Sequence, residues 1–164
     1  MSELNSPPGS GISILPATWR DLKAIHQLEK TCFHIDAWPL LDILGVLTIP
    51  QIVRVKAQEE ENLIGFIAAD LRRAQATAWI ATLAVLPGFR RSGVGSQLLE
   101  SCEKGINLPL IRLSVRESNL PAIQLYLKHG YQQVDTWKKY YRGGGNALVF
   151  EKVVRSKKTG VKSP

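Results

Sequence analysis

The stretch of residues 83–96 constrains the fold of this chain more than any other part of the sequence. Its first part, Leu83-Ala84-Val85-Leu86, has the apolar character of a buried strand, which Pro87 then ends. Directly afterwards, Gly93 and Gly95 open an amphipathic run with helical spacing. The first N–H groups of a helix have no partner within it, and the helix dipole adds positive potential there. The segment therefore predicts a strand–turn–helix unit with an anion site at the turn.

Periodicity along the rest of the chain predicts one α+β domain (α/β in the wider sense) with a mixed sheet, since neither repeats nor an interior linker occur. Short gaps between three central strands favour antiparallel hairpins. On the last helix, Leu120, Ile123 and Leu127 form the expected core-facing row. In sequence order we expect strands at 12–15, 52–57, 63–71, 78–86, 110–115, 131–141 and 147–154, and helices at 18–33, 39–47, 94–104 and 120–129.

The ends of the chain differ in composition from the domain, which we place at residues 12–154. Residues 1–11 are rich in Ser, Pro and Gly and predict a flexible leader. Part of the net charge of +7 lies in residues 155–164, which predict a basic, disordered tail. The alternative is a tail that contacts RNA or a ribosome. Because no aromatic platform lies among these charges, nucleic-acid binding as the main function is weakly supported.

Composition also bears on location and on metals. No apolar run approaches the roughly 18 residues of a membrane span, and the first residues lack the pattern of a secretory signal. We therefore expect a cytoplasmic protein without a membrane partner. Cys32 and Cys102 lie in helical apolar patterns and the three histidines are scattered, which disfavours disulfides, a metal site and an acyl-cysteine step. The sequence leaves monomer and homodimer open.

The turn at residues 90–96 has the chemistry of a phosphate site. Gly93 and Gly95 let a phosphate approach without a Cβ in the way, and the guanidinium groups of Arg90 and Arg91 suit phosphate oxygens. It is neither a Walker loop, which needs Gly-Lys-Ser/Thr, nor a three-glycine dinucleotide fingerprint. From these residues alone, a plain strand–helix turn with surface arginines remains the alternative.

The run Arg90-Arg91-Ser92-Gly93-Val94-Gly95 resembles the Arg/Gln-x-x-Gly-x-Gly/Ala signature of the GNAT superfamily of acetyl-CoA N-acetyltransferases. The resemblance implies the GNAT fold, a single mixed, mostly antiparallel sheet flanked by helices, with acetyl-CoA as co-substrate. It further implies that the strand backbone at Leu83, Ala84 and Val85 meets the pantetheine arm and the thioester. The residues implied to surround the pyrophosphate are Arg90, Arg91, Ser92, Gly93, Val94, Gly95 and Ser96.

A second stretch, residues 113–131, places a polar group and a phenol on one helix stripe. Asn119, Ala122 and Tyr126 recur at i, i+3 and i+7, although Tyr126 alone would suit a half-buried core position. The stretch resembles the Val-Arg-x-x-Asn-x-x-Ala-Ile-x-Leu-Tyr-x-x-x-Gly-Phe/Tyr segment of the ribosomal-protein alanine N-acetyltransferases. By this resemblance Asn119 contacts coenzyme A, and Tyr126 protonates the leaving thiolate.

Further similarities concern the acceptor side and the base. Four aromatic residues are implied to bind substrate, with core packing as the alternative: Phe33, Trp38, Tyr140 and Tyr141. Where the family has a glutamate as general base, this chain has Ser114, which needs a partner or a water to accept a proton. Glu117 lies on the wrong side of Val115 to substitute, and His34 is a reserve candidate.

We therefore expect direct transfer of an acetyl group from acetyl-CoA to a protein N-terminal α-amine, of the ribosomal-protein alanine type. Two alternatives stay open. One is acetylation of a small amine such as a polyamine, an amino sugar or an amino acid. The other is a coenzyme A-binding module without catalysis, in which Ser114 marks a lost activity.

Overall fold

The computed structural model describes residues 11–154 of the 164-residue chain. Nearly all of the predicted leader and the whole predicted basic tail, with its proposed ribosome contact, lie outside the described residues. Within residues 11–154, no helix has the length and apolar character needed to cross a membrane.

The helices and strands follow the predicted order, with short 3₁₀ turns between several of them. At the start of the first helix, the Thr18 N–H donates to Asp21 Oδ2 at 2.8 Å, which is half of a capping box. The elements are β1 Ile12–Pro16, α1 Leu22–Phe33, α2 Leu40–Thr48, β2 Ile52–Glu59, β3 Asn62–Arg72, β4 Thr77–Val85, α3 Val94–Gly105, β5 Leu110–Arg116, α4 Leu120–Lys128, β6 Gln132–Trp137 and β7 Ala147–Val153.

All seven strands belong to one sheet, in the order β1-β2-β3-β4-β5-β7-β6. The β4–β5 pair is parallel and the other pairs are antiparallel, which confirms the prediction of a mixed, mostly antiparallel sheet. A parallel pair needs a crossover connection, and α3 supplies it between β4 and β5.

Helices cover both faces of the sheet because successive strand residues point to opposite faces. The neighbours Phe66 and Ile67 on β3 illustrate this, since each belongs to a different apolar cluster. One cluster packs β3, β5 and β7 under α3 and α4, with Leu98 at its centre. The other packs β3 and β4 under α1 and α2, with Ile25 among its buried residues.

The predicted core-facing row of α4 is wrong at its two ends. Leu120 is 62% exposed and Leu127 is 55% exposed, whereas Tyr126 is buried and Ala122 and Leu125 pack on the core. The row that faces the sheet is therefore rotated toward the stripe that carries Tyr126.

The predicted strand 131–141 is also too long. Tyr131 is buried before the strand begins, and β6 ends at Trp137. Beyond it the chain turns through Lys139, Gly143 and Gly144, which all have positive φ, a region that is incompatible with a continuing strand.

A β-bulge in β4 opens a gap in the middle of the sheet. Ala68 of β3 pairs with Thr82 while Ala69 pairs with Ile80, so Ala81 is the extra residue. The parallel pairing of β4 with β5 ends at the same place, at Ile80↔Leu113. Since a bulge bends and twists its strand, the ends of β4 and β5 part beyond this point.

The two apolar clusters predict how truncations of leucine affect stability. Leu98→Ala leaves a cavity in the core and lowers the free energy of unfolding by about 2–5 kcal/mol. Leu127→Ala removes an exposed side chain and changes that free energy by less than about 0.5 kcal/mol. Urea unfolding of both variants measures the difference, and comparable losses of unfolding free energy would contradict the exposed position of Leu127 on α4.

Candidate functional site

A cavity of about 150 Å³ lies where β4 and β5 part. It gathers residues that are far apart in the sequence, from α1, both strand ends, α4 and the turn after β6. Among the predicted site residues, the cavity is lined by Phe33, Trp38, Leu83, Ser114, Asn119, Tyr126 and Tyr141.

The loop between β4 and α3 presents unpaired backbone N–H groups. Within the described part of the chain, no backbone carbonyl accepts a hydrogen bond of good geometry from the N–H groups of residues 91–96. Arg91 has φ of +64° and Gly93, the N-cap of α3, has φ of +86°, so the chain coils tightly before the helix begins. Free N–H groups, the helix dipole and two neighbouring arginines together suit a diphosphate.

The open edge of β4 offers further backbone donors. The Leu86 N–H donates to the Ile64 carbonyl of β3 at 2.9 Å, so by alternation the groups of Ala84 also face β3. The backbone of Leu83 and Val85 then points toward the gap, while the Ala84 side chain is buried in the α1–α2 cluster. Along this edge, the backbone groups of Leu83 and Val85 are therefore free to face the gap, whereas those of Ala84 face β3.

One acceptor on this edge is already occupied. The Val85 carbonyl accepts from Arg90 Nε at 3.0 Å and from the Cys32 thiol at 3.4 Å. Burial raises the pKa of Cys32 and keeps it a thiol donor. Arg90 therefore braces the strand end, and the remaining outward groups are the Leu83 backbone and the Val85 N–H.

Two serines of the loop are held by the surrounding structure. Ser92 Oγ donates to the Phe89 carbonyl, and Ser96 Oγ lies 3.0 Å from His129 Nε2. His129 is therefore half-buried against the start of α3, and not a free surface residue of α4. Gly95 makes this approach of the two helices feasible, because a Cβ there would lie 3.3 Å from Leu125 Cδ2.

Tyr126 lies at the floor of the cavity. It is buried, and it packs against Tyr131 and Phe150. Burial raises the pKa of Tyr126, so that the phenol keeps its proton at physiological pH. Asn119 lies at the rim as the N-cap of α4, where its Oδ1 accepts from the Ala122 N–H at 3.3 Å.

The opposite wall of the cavity contains an ion pair that the sequence did not reveal. Arg116 Nη2 lies 2.6 Å from Asp36 Oδ2, and the same guanidinium lies 4.6 Å from the ring of Tyr141. Burial raises the pKa of Tyr141, against the opposing effects of Ser114 and Arg116. Tyr140 is 56% exposed and packs on Trp137 with its ring tilted by 45°. Only the second of the paired tyrosines, Tyr141, lines the cavity.

Glu29 is the cavity residue that sequence reasoning missed. Its side chain is 1% exposed, and its Oε1 accepts from Thr82 Oγ1 at 2.6 Å. The available signal was its position on the apolar stripe of α1, next to Leu28 and one turn before Cys32. Neither the reserve candidate His34 nor Glu117, which was set aside as a base, lines the cavity.

Residues 11–154 contain no group of three or more His, Cys, Asp and Glu side chains arranged to hold a metal ion.

Proteins of known sequence resemble the chain over most of its length. Residues 19–131 match the family described as Acetyltransferase (GNAT) family. The chain is similar to N-alpha-acetyltransferase 50 of Danio rerio, with 36% identity over 151 residues, 87% of either chain. It is also similar to the N-alpha-acetyltransferase of Sulfurisphaera tokodaii, with 39% identity over 74 residues, which span only 44% of that relative's length.

Solved structures share the fold. The ribosomal-protein-S18-alanine N-acetyltransferase from Escherichia coli matches with a TM-score of 0.78 at 22% identity, covering 93% of this chain and 99% of that one. Arabidopsis thaliana Naa50, in complex with the bisubstrate analogue CoA-Ac-MVNAL, matches with a TM-score of 0.76 at 24% identity, covering 88% and 99%. The architecture, the loop with unpaired amides and the family match over residues 19–131 agree, and the chain belongs to the GNAT family of acetyltransferases.

Proposed function

We propose that this protein transfers the acetyl group of acetyl-CoA to the α-amine of a protein N-terminus. The observation that carries the proposal is the run of unpaired N–H groups at residues 91–96. This run follows β4, and Leu83 near the end of β4 lines the cavity that contains the buried Tyr126 phenol. A diphosphate held at the loop would direct the rest of coenzyme A along the open edge of β4. That edge ends at Tyr126 and the gap between the strands.

Successive parts of the site would bind successive parts of coenzyme A. The amides of residues 91–96 and the Arg91 guanidinium would bind the pyrophosphate. The Leu83 backbone and the Val85 N–H would hydrogen-bond the amides of the pantetheine arm and the thioester carbonyl. Asn119, at the rim, would contact coenzyme A with its Nδ2, since its Oδ1 already caps α4.

The reaction needs no covalent enzyme intermediate. The neutral amine attacks the thioester carbon, the C–N bond forms, and the nitrogen gives up one proton to an acceptor in the cavity. The C–S bond breaks, and the Tyr126 phenol donates its proton to the sulfur. Holding both reactants in one cavity supplies much of the acceleration. Polarisation of the carbonyl by strand N–H groups supplies more. Ser114, which lines the cavity, would hold a water beside the amine.

The acceptor side favours a peptide. Phe33, Trp38 and Tyr141 line the cavity. Tyr140 packs against Tyr141 and Trp137 and continues the aromatic surface outward. A small amine would occupy only the cavity, whereas a peptide would also cover the aromatic surface outside it. Naa50 of Arabidopsis, whose bound analogue joins coenzyme A to the peptide MVNAL, has the same fold.

The loop assignment predicts the effect of a side chain at Gly93. Gly93→Val adds a branched side chain among the amides at φ of +86°. Lost hydrogen bonds to charged phosphate weaken coenzyme A binding on the order of 10- to 100-fold, as measured by calorimetry. Gly143→Val is the matched control, since Gly143 also has φ of +86° and open space within 4 Å, but lies on the turn after β6. Equal losses of affinity in both variants would contradict the loop assignment.

The acid assignment predicts that Tyr126→Phe lowers kcat by about 10²-fold, because the thiolate then leaves without a proton. The affinity for coenzyme A stays within about twofold, since the phenol interacts with the sulfur mainly in the transition state. Tyr131→Phe is the control, because its phenol donates to Glu103 at 2.9 Å outside the cavity. A Tyr126→Phe enzyme with wild-type kcat would exclude this role.

The acceptor assignment is tested by thiol release from acetyl-CoA with N-terminal peptides, polyamines, amino sugars and amino acids. We expect turnover with free peptides and none with the same peptides blocked at the α-amine. Turnover with small amines alone would replace the proposal by small-molecule acetylation. Binding of coenzyme A without thiol release from any amine would indicate a binding module.

A further inference from the structure

The carboxyl group of Glu29 lies in an unusual environment at the cavity wall. Its Oε1 accepts a 2.6 Å hydrogen bond from Thr82, while Oε2 has no partner with hydrogen-bond geometry among the described residues. A buried carboxylate without a cation is costly and is rarely retained for packing alone. The chain could have buried an apolar residue at this place in the α1 stripe.

The charged groups around the cavity are occupied elsewhere. Arg116 pairs with Asp36 on one side and donates to the Arg142 carbonyl on the other. Arg90 donates to the Val85 carbonyl. Cys32 is one turn along α1, and Tyr126 and Tyr141 line the same cavity, but these are neutral groups at physiological pH. Glu29 therefore faces the cavity without a compensating positive charge from the described residues.

This environment changes how Glu29 holds a proton. Burial raises its pKa, and the hydrogen bond from Thr82 and the nearby Trp38 backbone N–H only partly offset the effect. A carboxyl group with a raised pKa is a better proton acceptor near neutral pH than an exposed one.

We propose that Glu29 and Thr82 together form the proton acceptor of the acetyl transfer. The inference rests on the function proposed above. As the amine nitrogen bonds to the thioester carbon, its proton moves to Thr82 Oγ1, and the Thr82 hydroxyl proton moves to Glu29 Oε1. Tyr126 supplies the proton that the departing sulfur gains. When the products leave, Glu29 releases its proton to solvent and the Tyr126 phenolate takes one up, which returns both groups to their starting state and balances the reaction.

The Glu29–Thr82 pair also supplies the carboxylate that is missing where Ser114 replaces the family's glutamate. A hydroxyl accepts a proton only when a base takes its own, and Thr82 has a carboxylate at 2.6 Å for this purpose. The two residues are 53 positions apart, so that only the packing of α1 on β4 brings them together.

The test compares Glu29→Gln with Glu103→Gln, with a free N-terminal peptide as acceptor. Glu103 is the matched control because its carboxylate is half-buried between Tyr131 and Lys152, outside the cavity. We expect Glu29→Gln to lower kcat by about 10²-fold with little change in the KM for acetyl-CoA. The wild-type kcat should fall more steeply at low pH, because both the amine and Glu29 take up a proton there, whereas Glu29→Gln should keep only the dependence of the free amine, near pH 8. Wild-type kcat and an unchanged pH profile in Glu29→Gln would overturn the proposal.

Variants at Thr82 keep the test decisive if Glu29→Gln does not fold. Thr82→Val removes the hydroxyl at constant volume and should lower kcat similarly, whereas Thr82→Ser should restore it. Thr82→Val and Thr82→Ser with equal kcat would refute the relay. Where both single variants fold, the double variant should lose no more than either one, because the residues act as a unit. Failure of the wild-type protein to acetylate any amine would refute the proposed function itself, which separates the two outcomes.

Discussion

The parting of β4 from β5 is the constraint on which the rest of the structure depends. The extra residue at Ala81 ends the parallel pairing after Ile80, and a wedge opens in a sheet that is otherwise continuous. Every residue assigned to chemistry borders that wedge, from Glu29 on one face to Tyr126 on the other. An unpaired strand edge inside a sheet leaves backbone groups without hydrogen-bond partners. Here those groups can bind a linear ligand.

The loop after β4 continues the same row of donors around the corner. Backbone N–H groups without partners are tolerated at residues 91–93 because these residues are exposed at a helix start. The strand edge and the helix start share one short loop, whose φ values at Arg91 and Gly93 set their relative direction. Arg90 couples the two by donating back to Val85, so the loop and the strand end are held as one unit.

Local patterns predicted most of the elements and the loop, because strand and helix periodicity and turn glycines are properties of neighbouring residues. The end of β6 and the row of α4 that faces the core were wrong, since they depend on where the chain turns and how the helix is rotated on the sheet. Glu29 could not be assigned at all. Its significance comes from burial and from Thr82, and neither is visible until α1 is packed on β4. The resemblance pointed instead to the strand position of Ser114.

The central claim is that a diphosphate binds to the backbone N–H groups of residues 91–96, and amide NMR reports on those groups directly. A ¹H–¹⁵N titration with coenzyme A follows each N–H separately, and a titration of the same protein with pantetheine, which lacks phosphate, is the comparison. The account predicts that the amide signals of residues 91–96 show the largest saturable shifts with coenzyme A, and much smaller ones with the compound that lacks phosphate. Large shifts elsewhere with these amides unchanged would contradict it.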